Sequence, residues 1–166
     1  MDFLRALQDS GLAAWVREAP SIWAYPLIIF LHSAGLALVV GPGIVIDLVI
    51  LGFAPGLELA PMNKLFRFMA AGFWLNLASG VLLTIADATT MVVNPIFLIK
   101  MTAIGLALAV TFLIKKKVFR DPLIGTRPVA ANGKFLAVAS LILWMAAITA
   151  GRLTAYLGPA NGIAGY

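Results

Sequence analysis

Residues 22–51 read IWAYPLIIFLHSAGLALVVGPGIVIDLVIL. The stretch contains no Lys, Arg or Glu; apart from Tyr25, its titratable groups are His32 and Asp47. A helix needs about 20 apolar residues to cross the hydrocarbon of a bilayer, so this run spans with length left over for tilt. Pro42, between Gly41 and Gly43, lacks an amide donor and frees the carbonyl of Leu38, which predicts a bend.

The rest of the chain repeats the pattern. Further apolar spans are expected over about 65–86, 95–114 and 135–157. They are separated by Pro55-Gly56, by Asn94-Pro95 and by the stretch from Asp121 to Gly133. The 166 residues are 62% apolar and 11% charged, with a mean hydropathy of +1.01. Soluble domains are about 45–50% apolar and about 25% charged, so hydrocarbon must solvate much of this surface. The expectation is an all-α integral membrane four-helix bundle, a single domain over residues 1–166.

Residues 1–19 read as an amphipathic helix. Phe3, Leu4, Leu7, Gly11, Ala14 and Trp15 follow one helical face, with Arg5, Gln8, Asp9 and Arg17 elsewhere. The segment either lies in the membrane interface, with Trp15 and Trp23 at headgroup level, or caps the bundle. Asp2, Arg5, Asp9, Arg17 and Glu18 break up the first twenty residues. No secretory signal is read there, and insertion is left to the spans themselves.

Charge sets the expected orientation. The linker between spans three and four carries Lys115, Lys116, Lys117, Arg120, Arg127 and Lys134, and Lys64 and Arg67 lie where span two begins. The linker between spans two and three has neither Lys nor Arg. Positive linkers stay in the cytosol, so both termini are expected on the outer side of the membrane. The net charge of +5 therefore points to lipid headgroups, not nucleic acid. Small residues at spacings of four (Gly72, Asn76 and Gly80; Gly105 and Ala109; Ala147 and Gly151) mark candidate helix contacts.

Chemistry is confined to few groups. The chain has no cysteine, which excludes disulfides and thiolate sites. Each ionisable residue in a span costs about 2.5–3.5 kcal/mol on insertion scales and asks for a reason. His32, Lys100 and Arg152 reach similar depths below the outer boundary, with Asp87 the nearest carboxylate by topology and Tyr25 seven residues before His32. An outward-opening polar pocket follows. His32 could ligate a haem iron or copper, and Lys100 and Arg152 suit a haem's carboxylates. Other readings are a structural ion-pair cluster and a quinone or lipid site. Asp47 is expected to pair with Lys64, Arg67 or Arg120. A nucleophile triad, a zinc site and a phosphate loop all lack residues, so an enzyme is not expected.

Six ordered motifs carry a resemblance: Trp23-Ala-Tyr25-Pro26, His32-Ser-Ala-Gly35, Asp47-Leu-Val-Ile-Leu-Gly52, Asn94-Pro95-Ile-Phe97-Leu-Ile-Lys100, Ser140-Leu-Ile-Leu-Trp144 and Gly151-Arg152-Leu-Thr-Ala-Tyr156. Together they resemble a family of uncharacterised small bacterial four-helix membrane proteins, a domain of unknown function. More distantly they look like the copper-resistance protein D and membrane protoporphyrinogen oxidase families; in the latter, histidines within the spans bind b-type haem. The resemblance implies that His32, Lys100 and Arg152 form one polar set. Members often carry further histidines where this chain has Asp87 and Lys115-Lys116. The expected function is a small non-enzymatic membrane subunit whose pocket, built by His32, Lys100, Arg152, Tyr25 and Asp87, holds a b-type haem or copper. The rival is a scaffold that binds only lipid or pigment. Its partners would be membrane lipids and either further copies of itself or a larger membrane complex, and with the bacterial resemblance the expected place is the inner membrane, with both termini in the periplasm.

Overall fold

In the computed structural model, residues 2–122, 124–125 and 128–157 are described. Four long helices dominate: α3 (Tyr25–Leu51), α4 (Leu65–Ala86), α6 (Pro95–Lys117) and α7 (Ala131–Leu157). Each contains a segment long and apolar enough to cross a membrane, which makes the chain a multi-pass membrane protein by length and composition. The first span starts at Tyr25 instead of Ile22, the third runs on through the lysine triplet to Lys117, and the fourth begins at Ala131. Helix α3 is continuous through Pro42.

The ends follow from local chemistry. Pro26 and Pro95 stand in the first turns of α3 and α6, where a missing amide costs nothing. The Asn94 side chain accepts from Ile96 N at 2.8 Å and caps α6. Gly52, with φ at +88°, closes α3 in the left-handed conformation that a side chain would resist.

The extensive contacts are α3 with α4, α6 with α7, and α3 with α7. Helices α3 and α7 are thus the inner pair, each touching two of the long helices. One cluster, with Ile46, Ile50, Phe66, Met69, Ile114 and Ala137, fills the end where the lysines lie, called here the basic end. Phe66 stacks edge-on against Phe119, with ring centroids 5.0 Å apart, and Lys115 sits over the Phe66 ring. Val39, Val40, Ala103, Ala107, Trp144 and Ala147 form the middle. Trp74, Phe112, Ile142 and Met145 face outward, as side chains solvated by lipid do.

Small residues decide how close the helices come, though not all those the spacing marked. A Cβ on Gly35 would lie 2.7 Å from Asn76 N, and one on Gly72 would lie 2.6 Å from Leu38 Cβ. Backbone therefore meets backbone at the α3–α4 crossing. Gly105 has nothing within 4 Å of its would-be Cβ, and Ala109 is exposed. The α6–α7 contact is made instead by Ala103 and Ala107 against Ala147.

The N-terminal segment departs from the expected single helix. It forms α1 (Asp2–Gln8) and α2 (Gly11–Glu18), because Ser10 starts a new helix by accepting from Ala13 N at 3.3 Å. The break rotates the buried face: Ala13 and Val16 pack inward, while Phe3, Leu12 and Trp15 stay exposed. Val16 rests on Ile28 and Ala86. Arg17 donates to the Ala86 carbonyl at 2.8 Å, supplying a donor and a positive charge to the C-terminus of α4. Gln8 Oε1 accepts from Thr89 N and Oγ1, in the short α5 (Ala88–Met91). The segment caps the bundle and at the same time offers apolar side chains outward.

Candidate functional site

His32 sits two turns into α3, about 10 Å along the axis from Tyr25. Its Nδ1 lies 3.1 Å from the Asn76 carbonyl oxygen and 3.2 Å from Ser79 Oγ. A carbonyl oxygen can only accept, so Nδ1 carries the hydrogen and Nε2 keeps its lone pair. Asn76 Nδ2 returns a bond to the His32 carbonyl at 2.7 Å, and Ser79 Oγ donates to the Leu75 carbonyl at 2.7 Å. The ring rests on Gly80, where a Cβ would come within 3.1 Å of His32 Cε1. Residues 76, 79 and 80 share one face of α4, and together they form a slot for the imidazole.

This slot resembles the support that metal-ligating histidines receive, in which the distal nitrogen donates to a carbonyl and the free one is aimed and made more basic. Among the described residues no hydrogen bond reaches Nε2.

Lys100 enters from α6. Its chain lies along Gly151 of α7, with Cε 3.6 Å and Nζ 3.8 Å from where a Cβ would stand. It is half-buried and close enough to His32 to act on it electrostatically. Among the described residues the ion pair formed is Arg17–Glu18, at 3.5 Å, so Lys100 has no carboxylate partner there.

The other expected members take other roles. Arg152 follows Gly151 in sequence, yet its side chain is exposed. Asp87 accepts from Thr90 Oγ1 at 2.6 Å, and Tyr25 is 52% exposed. The proposed mutual neutralisation of His32, Lys100, Arg152 and Asp87 is thus absent among the described ion pairs. What is brought together is His32 with Asn76, Ser79 and Gly80, and Lys100 with Gly151.

Asp47 also differs from expectation. It does not pair with Lys64, Arg67 or Arg120; it is 1% exposed, and the Ser140 hydroxyl of α7 donates to its carboxyl. The reason is rotational: residue 47 faces the α3–α7 contact, whereas Lys64, Arg67 and Arg120 are exposed.

No three His, Cys, Asp or Glu side chains gather among the described residues. A copper ion would therefore find one imidazole and need its remaining donors from outside them. A haem iron can accept a single axial histidine, and the Lys100 ammonium is chemically suited to a propionate. Neither of the two described cavities is lined by His32 or Lys100.

Asn76 and Gly80 read from sequence as packing residues, and Ser79 carried no signal beyond its place between them. No protein family, curated protein or solved structure matches this chain.

Proposed function

We propose that this protein is a small non-enzymatic subunit of a bacterial inner membrane, oriented with both termini in the periplasm, that holds a b-type haem against His32. The observation that carries this reading is the anchored imidazole, with Nδ1 committed to the Asn76 carbonyl and Nε2 without a partner among the described residues. Lys100, half-buried and without an ion pair there, supports an acidic group beside it. Bound at His32, such a group would supply one-electron transfer. The chain itself would orient the imidazole and hold a carboxylate at Lys100 Nζ. Any further ligand to the group would come from a second copy or from a partner subunit. Copper is not carried forward, since the described residues offer it one imidazole.

A scaffold reading has its own support: His32 and Asn76 cross-link α3 and α4 whatever else they do. A subunit that only packs against a larger complex and binds lipid or pigment needs no more than that. Gentle purification, a reduced-minus-oxidised spectrum and an iron assay separate the two. A b-type spectrum that vanishes in His32→Ala, with the bundle still folded, supports the haem site. An iron-free, featureless sample of intact wild-type protein leaves the scaffold.

A further inference from the structure

Asp47 and the cavity beside it lie apart from the His32 slot, at the basic half of the bundle. The cavity measures about 10 Å³ and is lined by Asp47 and Gly43 of α3, Met69 and Phe66 of α4, Thr111 of α6 and Ser140 of α7, among others. That volume admits about one water-sized particle. Ser140 donates to the Asp47 carboxyl, but Asp47 Oδ2 is buried with no hydrogen-bond partner.

We propose that this cavity binds one small monovalent metal cation of the size of Na+, held by oxygen atoms of Asp47, Thr111 and Ser140. An ionised carboxylate inside a membrane-spanning helix would carry a charge that a serine hydroxyl hydrogen-bonds but does not neutralise. No Lys, Arg or His lines the cavity, and the described ion pair lies elsewhere, between Arg17 and Glu18. Neutralisation then falls to a proton on the carboxyl or to a cation in the cavity, and an unpartnered Oδ2 beside further oxygen donors favours the cation. Size limits it to a single ion. The donors are hard oxygens from three helices, the kind that suits alkali and alkaline-earth ions rather than soft metals. One carboxylate matches one positive charge, and a divalent ion would demand more acidic ligands than the wall provides. A water molecule would satisfy Oδ2 and leave the charge standing; a cation does both. Because its donors come from α3, α6 and α7, the bound ion would tie the two helix pairs together.

The test uses the intact chain in detergent micelles. Equilibrium dialysis against radioactive Na+ is expected to find one ion per chain, and thermal unfolding to occur at higher temperature in NaCl than in choline chloride of equal ionic strength. Asp47→Asn should abolish both effects. Ser140→Ala and Thr111→Val, milder changes that keep the carboxylate, should each weaken binding about tenfold. Folded wild-type protein that binds no Na+ and melts alike in both salts would overturn the proposal, leaving water or a proton in the cavity. Binding that survives unchanged in Ser140→Ala and Thr111→Val would overturn it too, by placing the ion elsewhere.

Discussion

His32 and Asn76 hold each other twice. The imidazole Nδ1 lies 3.1 Å from the Asn76 carbonyl, and Asn76 Nδ2 donates to the His32 carbonyl at 2.7 Å. The first contact aims a ring and the second fixes the register of two helices, so one pair serves a candidate site and the fold together.

That double role predicts a graded response. Asn76→Ala is expected to lower haem occupancy about 10–100-fold while leaving some bound, because the ring loses its outer support and not its ligating nitrogen. His32→Ala should remove it altogether. Haem content per folded chain, measured by pyridine haemochrome, checks both.

Close approach at the α3–α4 crossing predicts a contrast among glycines. Gly72→Ala should destabilise the bundle by about 1–3 kcal/mol, since its Cβ would overlap Leu38. Gly105→Ala, where nothing lies within 4 Å, should instead stabilise α6 by about 0.5–1 kcal/mol. Unfolding of the two variants in mixed micelles under identical conditions reads the opposite signs.

The cap on α4 is a third target. Arg17→Ala removes the donor to the Ala86 carbonyl and should loosen the N-terminal segment without melting the four long helices. Proteolysis within residues 2–18 should speed up several-fold while the helical circular dichroism stays nearly constant. Ser10→Ala should act in the same direction, at a cost of about 1 kcal/mol.

Orientation can be read without background labelling, because the chain has no cysteine. Lys116→Cys should resist a membrane-impermeant maleimide in intact cells and react after lysis. Asp2→Cys should react in both. The reverse pattern would invert the bundle and move His32 to the cytosolic side.

Much of the architecture was legible in residues 22–51 and their counterparts, because a helix in hydrocarbon must satisfy its backbone internally and needs only length and apolarity to announce itself. The second span agrees with α4 at both ends, and Asn94-Pro95 marked the start of α6. The N-terminal segment was legible as amphipathic but not as broken, since Ser10 is as ordinary on a helix surface as at its cap until the chain turns there. Among the polar residues, depth was readable and azimuth was not. Lys100 and Arg152 stand at similar heights, yet Lys100 lies along Gly151 and is half-buried while Arg152 is exposed.

By itself, then, the order of residues determined four spans, their breaks, the basic end and the short roster of ionisable side chains inside. Those depend on hydropathy and charge summed along a line, and a line contains them. The tertiary structure alone decided that His32 lies in a slot made by Asn76, Ser79 and Gly80, and that Asp47 turns to Ser140 instead of a cation. Each of those depends on the rotation of one helix against another; for the His32 slot that rotation is set where Gly35 and Gly72 let the α3 and α4 backbones touch.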